Sequence, residues 1–231
     1  MEFFLDTASL DQIQHYQGLG LVDGVTTNPA LLAKEGRDPL GQLREIASIV
    51  TGPVSAEVVT TDPERMIRDA QKLAGVAENI VVKIPASTAG LAAAYQLQKQ
   101  KVPLIITLNF HAAQTVPFIK LEVDYVAVFI GRTEDFGIDN KQLAWDTRLA
   151  IDNMQSRTQL MAASIRNPDY LIDAISANVD VITVPPECWK KVYKNPIFEL
   201  AEREFLESWQ QLPEDLRRAY ETLDDTISSQ S

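Results

Sequence analysis

Short β-rich runs alternate with longer amphipathic stretches along most of the chain, with a repeat of about 25 residues. The runs are rich in Val, Ile and Phe. Eight predicted strands follow: 2–7, 24–28, 54–59, 80–85, 103–109, 125–131, 158–164 and 179–184. Strands that alternate with helical segments are typical of repeated βα units, whose strands pair in parallel.

The stretches between these runs predict helices at 39–50, 63–74, 89–100, 112–121, 140–154 and 168–177, with a short helix after the eighth strand and a last one near 196–211. Three of them begin with a capping residue followed by proline, at Asp38-Pro39, Asp62-Pro63 and Asn167-Pro168. This order suits a helix start, because the capping side chain accepts a backbone N–H and proline needs none.

Eight parallel βα units favour closure into a barrel over an open, doubly wound sheet. An open sheet would carry a glycine-rich phosphate loop after its first strand, and Leu5-Asp6-Thr7-Ala8-Ser9 lacks that glycine pattern. The prediction is therefore an α/β protein with a single (β/α)8 TIM barrel domain over 1–231, including an extra C-terminal helix at 196–211. Residues 214–231 are polar and acidic, which predicts a tail with a mobile tip.

Composition narrows the range of partners. A formal net charge of −11 argues against nucleic acid and anionic membrane surfaces. Cys188 is the only cysteine, which excludes an internal disulfide and a cysteine-based metal site. The only histidines, His15 and His111, have no carboxylate nearby at ligand spacing, and His111 is expected at a helix start. No metal and no cofactor are predicted.

The first residues, Met1-Glu2-Phe3-Phe4-Leu5-Asp6, have neither the basic region nor the apolar region of a signal peptide. No apolar run approaches the length of roughly 18 residues that a membrane span needs. We therefore expect a soluble, cytoplasmic protein in a reducing compartment.

Polar side chains recur where the predicted strands end. They are Asp6, Thr26, Asn28, Glu57, Lys83, Thr107, Arg132, Ser164 and Thr183. The active sites of such barrels lie at the carboxyl ends of the strands. One polar residue at one strand end could arise by chance, whereas a set that includes nearly all strands indicates a functional pocket.

Lys83 interrupts the apolar run Ile80–Pro85, which is otherwise typical of a buried strand. One interpretation is a structural lysine, either reaching solvent from the strand end or paired with Glu57 or Asp6. The other is a catalytic lysine, because burial disfavours the ammonium form and favours the neutral amine that attacks a ketone. Taken alone, the lysine does not decide between them; a barrel interior favours chemistry.

Asp6 and Glu57 could serve as general acid and base beside Lys83. Their structural alternatives are a helix N-cap for Asp6 and a counter-ion of Lys83 or Arg132 for Glu57.

Arg132, Ser164 and Arg166 follow the sixth and seventh strands, near the place where barrels commonly bind phosphate. Their alternative is ordinary solvated surface.

Six segments, in order along the chain, resemble the transaldolase family, in particular its small-subunit branch that includes fructose-6-phosphate aldolase. They are Leu5-Asp6-Thr7, Gly24-Val25-Thr26-Thr27-Asn28-Pro29, Ala56-Glu57-Val58, Val81-Val82-Lys83-Ile84-Pro85, Phe129-Ile130-Gly131-Arg132 and Ala162-Ala163-Ser164-Ile165-Arg166-Asn167. The Thr-Thr-Asn-Pro and Lys-Ile-Pro segments together are highly specific.

The resemblance implies a role for each matching position. Lys83 matches the lysine that forms the Schiff base. Asp6 matches the aspartate that handles the proton of the substrate C4 hydroxyl. Glu57 and Thr107 match residues that hold the water of imine formation and breakdown. The positions that match the substrate-binding set are Asn28, Thr26 and Phe129 and, for phosphate, Arg132, Ser164 and Arg166.

The implied reaction moves a dihydroxyacetone unit from fructose 6-phosphate or sedoheptulose 7-phosphate to an aldose phosphate, without metal or cofactor. The alternatives are an aldolase that releases free dihydroxyacetone and a barrel that binds sugar phosphates without turnover. Glu57 and Phe129 resemble transaldolases, since the aldolase carries glutamine and tyrosine there. Ile105 and Ala127 stand where larger transaldolases carry asparagine and serine.

Small members of the family assemble as pentamers and decamers, so the resemblance also implies a homo-oligomer. Phe205, Leu206 and Trp209 on the last predicted helix offer apolar surface for such a contact, although packing on their own barrel is equally compatible with the sequence.

Overall fold

The computed structural model describes residues 1–137 and 140–221. Its centre is a closed barrel of eight parallel strands that pair in chain order, with β8 returning to β1. The strands are β1 (Glu2–Asp6), β2 (Gly24–Thr26), β3 (Val54–Glu57), β4 (Ile80–Pro85), β5 (Leu104–Asn109), β6 (Tyr125–Phe129), β7 (Gln159–Ala163) and β8 (Val181–Val184). The predicted (β/α)8 barrel is confirmed.

Helices alternate with the strands around the barrel, and the chain that follows the barrel forms further helices. They are α1 (Leu10–Gly18), α2 (Pro29–Glu35), α3 (Pro39–Ile49), α4 (Pro63–Ala74), α5 (Thr88–Lys99), α6 (Ala112–Lys120), α7 (Ile130–Glu134), α8 (Asn140–Asn153), α9 (Asp169–Ser176), α10 (Pro186–Tyr193), α11 (Pro196–Gln210) and α12 (Glu214–Glu221). The Asp38 and Asp62 caps are confirmed, since their carboxylates accept backbone N–H groups of α3 and α4. His111 begins α6, where its Nδ1 accepts from the N–H of Ala113 at 3.0 Å.

Five strands end one or two residues earlier than predicted, and at two of them, β2 and β6, a helix follows almost directly. β2 stops at Thr26 because Asn28 turns the chain into α2, accepting the N–H of Leu31 with its side chain at 3.0 Å. β6 stops at Phe129 because Ile130 and Gly131 already belong to the short helix α7. Both interruptions lie at the carboxyl rim, so they shape the mouth of the barrel.

The same aspartate–backbone hydrogen bond occurs three times at the opposite rim, where the strands begin. Asp23, Asp124 and Asp180 each precede a strand and accept the backbone N–H of a residue in the strand before it, at 2.7 to 2.8 Å. Each bond spans twenty residues, from Phe3, Leu104 and Leu160 respectively. These charge-assisted bonds help to set the register of β1, β5 and β7 against the next strand.

The barrel interior is filled by apolar side chains from six of the strands. They are Phe4, Val81, Ile105, Tyr125, Ala127, Met161, Ala163 and Val181, with Phe129 packed against them. Ile105 and Ala127 therefore lie inside the barrel, and both are almost fully buried. The polar side chains of the carboxyl rim lie above these packed apolar side chains.

The chain divides into two compact units, 1–189 and 190–231. In the second, Trp209 of α11 packs edge-on against Tyr220 of α12, with ring centroids 5.0 Å apart. The last helix predicted from the sequence thus matches α11, and α12 covers the start of the predicted tail. The rest of that tail, 222–231, lies outside the described residues. Within the described part of the chain, no helix is both long and apolar enough to cross a membrane.

Candidate functional site

Lys83 lies at the centre of the carboxyl rim, in the fourth position of β4. The residue is only 6% exposed. Its Nζ lies 3.3 Å from Oε2 of Glu57, the residue beside it on β3, and donates to the carbonyl of Thr27 at 3.2 Å. The ion pair that one interpretation of Lys83 expected is present, and so is the burial on which the catalytic interpretation rests.

Thr27 owes its position to Ser55 of β3. The N–H of Thr27 donates to the Ser55 hydroxyl at 2.9 Å, and its own hydroxyl donates to the Ser55 carbonyl at 2.6 Å. These bonds fix the backbone from which the Thr27 carbonyl meets Lys83. Sequence reasoning missed this acceptor, because a backbone carbonyl carries no signal in residue identity.

Asp6 ends β1 and is held by a chain of hydroxyls. Thr26 donates to Asp6 Oδ1 at 2.8 Å, so the short bond between Thr26 and Thr183 must use the hydroxyl proton of Thr183. Burial raises the pKa of Asp6, while the charge of Lys83 and the Thr26 hydrogen bond oppose part of that shift. The N-cap alternative for Asp6 is wrong: α1 begins after Ser9, and the bond of Asp6 goes to Thr26.

Thr107 is fully buried near the end of β5. Its hydroxyl has no hydrogen-bond partner among the described residues. It lines the same cavity as Glu57 and Lys83. Because a buried hydroxyl without a partner is costly, its position favours a polar occupant of the cavity.

The end of β5 is irregular in a way that sequence reasoning missed. Leu108 has a φ of 61°, which is uncommon for a residue with a side chain, and the register with β6 shifts at this point. Asn109 stabilises the bulge, because its Nδ2 donates to the carbonyls of Ile106 and Ala127 at 2.9 Å each. Leu108 then lines the cavity beside Thr107.

Two adjoining cavities open at the rim. The mouth cavity, of about 640 Å³, is lined by Asn28, Pro29, Ala30, Leu31, Lys34, Glu57, Lys83, Thr107, Leu108, Phe129 and Arg132. The inner cavity, of about 140 Å³, is lined by Asp6, Thr26, Asn28, Lys83, Ala127, Phe129, Arg132, Met161, Ala163, Ser164 and Thr183. Asn28, Lys83, Phe129 and Arg132 line both, and every site residue predicted from the sequence except Arg166 lines at least one.

Arg166 follows β7 but lines neither cavity. Its Nη1 contacts both carboxylate oxygens of Asp135, at 2.6 and 2.7 Å. Ser164, two residues earlier, lines the inner cavity and has a φ of 63°. Of the predicted anion-binding group, Arg132 and Ser164 thus lie at the cavities, and Arg166 is paired with a carboxylate outside them.

Gly131 lets the end of β6 approach the end of β7. A Cβ at this position would overlap the carbonyl oxygen of Ser164 and lie 3.1 Å from Cγ of Arg166. Gly131→Ala should therefore displace the two segments that carry the predicted anion-binding residues. We expect a loss of about 1–3 kcal/mol in the free energy of unfolding, measured by urea denaturation, and weaker binding of phosphorylated ligands.

Gly18, at the end of α1, provides the matched control, since nothing lies within 4 Å of a Cβ placed there. Gly18→Ala should leave both measurements near the wild-type values. Equal behaviour of the two variants would contradict the close approach at Gly131.

These features define a (β/α)8 barrel with a buried lysine, two carboxylates and an arginine at the carboxyl ends of its strands. The sequence profile of the Transaldolase/Fructose-6-phosphate aldolase family matches residues 3–230. The chain belongs to this family, and is an enzyme of the transaldolase–aldolase type.

Several relatives are similar along nearly their whole length. A probable transaldolase of Phenylobacterium zucineum is 41% identical over 209 residues, which cover 90% of this chain and 96% of the relative. A probable transaldolase of Methanococcus maripaludis strain C7 is 39% identical over 210 residues, 91% of this chain and 98% of the relative. One of Hydrogenobaculum sp. strain Y04AAS1 is 38% identical over 213 residues, 92% and 98% respectively.

Proposed function

We propose that the protein is a transaldolase that carries a dihydroxyacetone unit on Lys83. The unit comes from a ketose phosphate, such as fructose 6-phosphate or sedoheptulose 7-phosphate, and passes to an aldose phosphate. The observation that carries the proposal is the placement of Lys83: a lysine only 6% exposed, within 3.3 Å of Glu57, and lining both cavities.

In the first step, the Lys83 ammonium passes a proton to Glu57, which lies 3.3 Å away, and the resulting amine attacks the C2 ketone of the donor. A second proton moves from the nitrogen to the C2 oxygen, Glu57 returns the first, and this oxygen leaves as water when the iminium forms. Thr107, whose hydroxyl is unpartnered among the described residues, would hold this water with Glu57.

In the second step, Asp6 takes the proton of the C4 hydroxyl while the C3–C4 bond breaks. The bonding electrons move into the iminium, giving an enamine on Lys83 and an aldose phosphate that departs. Asp6 suits this role, because its raised pKa brings proton transfer nearer to neutral pH than for an ordinary aspartate. The reverse sequence adds the enamine to the acceptor aldehyde.

Substrate positioning falls to the residues that line both cavities. Asn28 would bind sugar hydroxyls: its Oδ1 accepts from Leu31, which leaves the amide N–H groups to donate. Arg132 and Ser164 would bind the phosphate together with Arg166. In the structure Arg166 is paired with Asp135, so its use requires exchange of that carboxylate for the phosphate.

Borohydride trapping tests the proposal. Reduction in the presence of fructose 6-phosphate should fix a dihydroxyacetone-derived adduct on the peptide that contains Lys83, identified by mass spectrometry. An adduct on a different lysine, or no adduct on the intact folded protein, would refute the proposed Schiff base on Lys83.

The second candidate is an aldolase that releases free dihydroxyacetone, since the description of the matching family names both activities. Glu57 and Phe129 favour the transferase.

We expect slow release of dihydroxyacetone from fructose 6-phosphate alone, and faster formation of glyceraldehyde 3-phosphate when erythrose 4-phosphate is added. The double change Glu57→Gln and Phe129→Tyr should shift activity towards release by about tenfold, measured as the ratio of the two rates. Fast cleavage by the wild type that is indifferent to the acceptor would favour the aldolase.

A barrel that binds sugar phosphates without turnover is the weakest candidate, because binding alone does not need a lysine and two carboxylates in the cavity.

We further propose that the protein is cytoplasmic, that it forms a homo-oligomer (a pentamer or decamer), and that it does not bind nucleic acid. Five large apolar side chains of α11 are exposed and offer a surface for a subunit contact: Ile197, Phe198, Leu200, Phe205 and Leu206.

A further inference from the structure

We infer that Lys34 is a further cationic phosphate-binding residue of the site, facing the cavity from α2 and acting together with Arg132. The inference rests on the proposed function and extends it, because it names a specificity-determining residue for phosphorylated sugars. The reason to look for one is Arg166, which lines neither cavity and is held by Asp135.

Lys34 is placed by the geometry of α2. The helix starts directly after Asn28, which is its N-cap and also lines both cavities. Ala30, Leu31 and Lys34 all line the mouth cavity, and residues three and four positions apart share one face of a helix. The lysine is therefore on the face of α2 that meets the cavity, and the residue as a whole is exposed to solvent.

The charges around the mouth cavity support the assignment. Four charged residues line it: Lys34, Glu57, Lys83 and Arg132. Glu57 and Lys83 pair with each other. Lys34 and Arg132 form no salt bridge with any acid in the described part of the chain.

Two cations without an acidic partner among the described residues therefore line the same cavity, in a chain whose net charge is −11. A phosphate monoester carries a charge of about −1.5 to −2 at pH 7, which matches one guanidinium and one ammonium. The arginine offers a planar fork and the lysine a mobile point charge on a long stem, so the pair can follow phosphates on sugars of different length. Lys34 would thus favour phosphorylated over unphosphorylated sugars.

The test compares Lys34→Met with Lys120→Met. Methionine keeps an unbranched side chain and removes the charge, and Lys120 is an exposed lysine at the end of α6 that lines neither cavity. Calorimetric titration with fructose 6-phosphate and with inorganic phosphate should show affinity reduced about fivefold to tenfold in Lys34→Met and unchanged in Lys120→Met. Lys34→Arg should retain most of the affinity. Borohydride trapping of dihydroxyacetone, which has no phosphate, should be equal in all four proteins.

The outcomes separate this inference from the proposed function. If Lys34→Met binds phosphate ligands like the wild type, or if Lys120→Met loses as much affinity, the assignment of Lys34 is wrong while the adduct on Lys83 can still form. If trapping fails in the wild type, the proposed mechanism is wrong, and the titrations still decide whether Lys34 binds phosphate. Equal losses for dihydroxyacetone and fructose 6-phosphate would also overturn the assignment.

Discussion

Replacing Lys83 by methionine is expected to lower kcat/KM for fructose 6-phosphate by about 10³-fold or more. The change removes the proposed nucleophile of the first step, and every later step depends on the intermediate that this nucleophile forms. Methionine has a similar length and fits apolar surroundings, so the barrel should remain folded. The variant should form no borohydride adduct. Steady-state kinetics with erythrose 4-phosphate as acceptor, together with intact-protein mass spectrometry, measure both effects.

The control must separate loss of chemistry from loss of structure. Lys83→Met leaves Glu57 without its ion pair, which can destabilise a partly buried carboxylate. Combining Lys83→Met with Glu57→Gln removes that charge, so the double variant should unfold at a temperature equal to or above that of Lys83→Met while remaining inactive. Lys120→Met should keep full activity. Near-normal turnover in folded Lys83→Met would refute the role of the lysine.

The fold could be predicted because each βα unit carries its own local signals. Apolar runs mark the strands, Asp38-Pro39 and Asp62-Pro63 mark helix starts, and eight such units leave closure as the simplest way to cover every strand edge. The short helices α2 and α7 were not predicted, because each follows a strand with almost no intervening loop. At α7 the apolar run of β6 continues from Phe129 into Ile130, and α2 begins after only two residues beyond the end of β2.

The site could be predicted in part for a related reason. A polar residue at the end of a parallel strand must lie at the carboxyl rim, whatever the tertiary details, so Asp6, Glu57 and Lys83 could be placed together. Whether a longer side chain beyond the strand turns towards the rim is decided by its neighbours. Arg166 turns to Asp135 and Lys34 turns to the mouth cavity, and neither choice is visible in residue identity.

The backbone geometry at the carboxyl rim could not be predicted from the sequence either. Leu108 and Ser164 adopt positive φ values that are typical of glycine, and neither is a glycine. Such conformations persist only where surrounding contacts enforce them, as the two bonds from Asn109 do next to Leu108. Sequence patterns describe average preferences, so positions of this kind escape them.

Asp6 combines a cost in stability with its proposed role in proton transfer. Its pKa is raised from 3.8 by burial, despite the attraction of Lys83 and the hydrogen bond from Thr26. A raised folded-state pKa means that the folded protein binds this proton more tightly than the unfolded chain does. Ionising Asp6 therefore opposes folding: the cost is absent below the unfolded pKa, grows as the pH rises through the folded pKa, and is fully present above it.

Asp6→Asn should for this reason stabilise the protein and inactivate it. The neutral amide has the same shape and can still accept from Thr26, so the melting temperature should exceed that of the wild type near neutral pH, by a margin that shrinks as the pH falls towards 3.8. The loss of a proton acceptor should lower kcat by about 10²- to 10⁴-fold. Thermal unfolding between about pH 4 and pH 8 and steady-state kinetics measure the two effects.

The control is Asp11→Asn, which removes the same charge from the exposed first turn of α1 and should change neither the melting temperature nor kcat appreciably. A variant Asp6→Asn that is less stable at every pH would show that ionised Asp6 supports the fold, and one with normal turnover would assign the proton transfer to another residue.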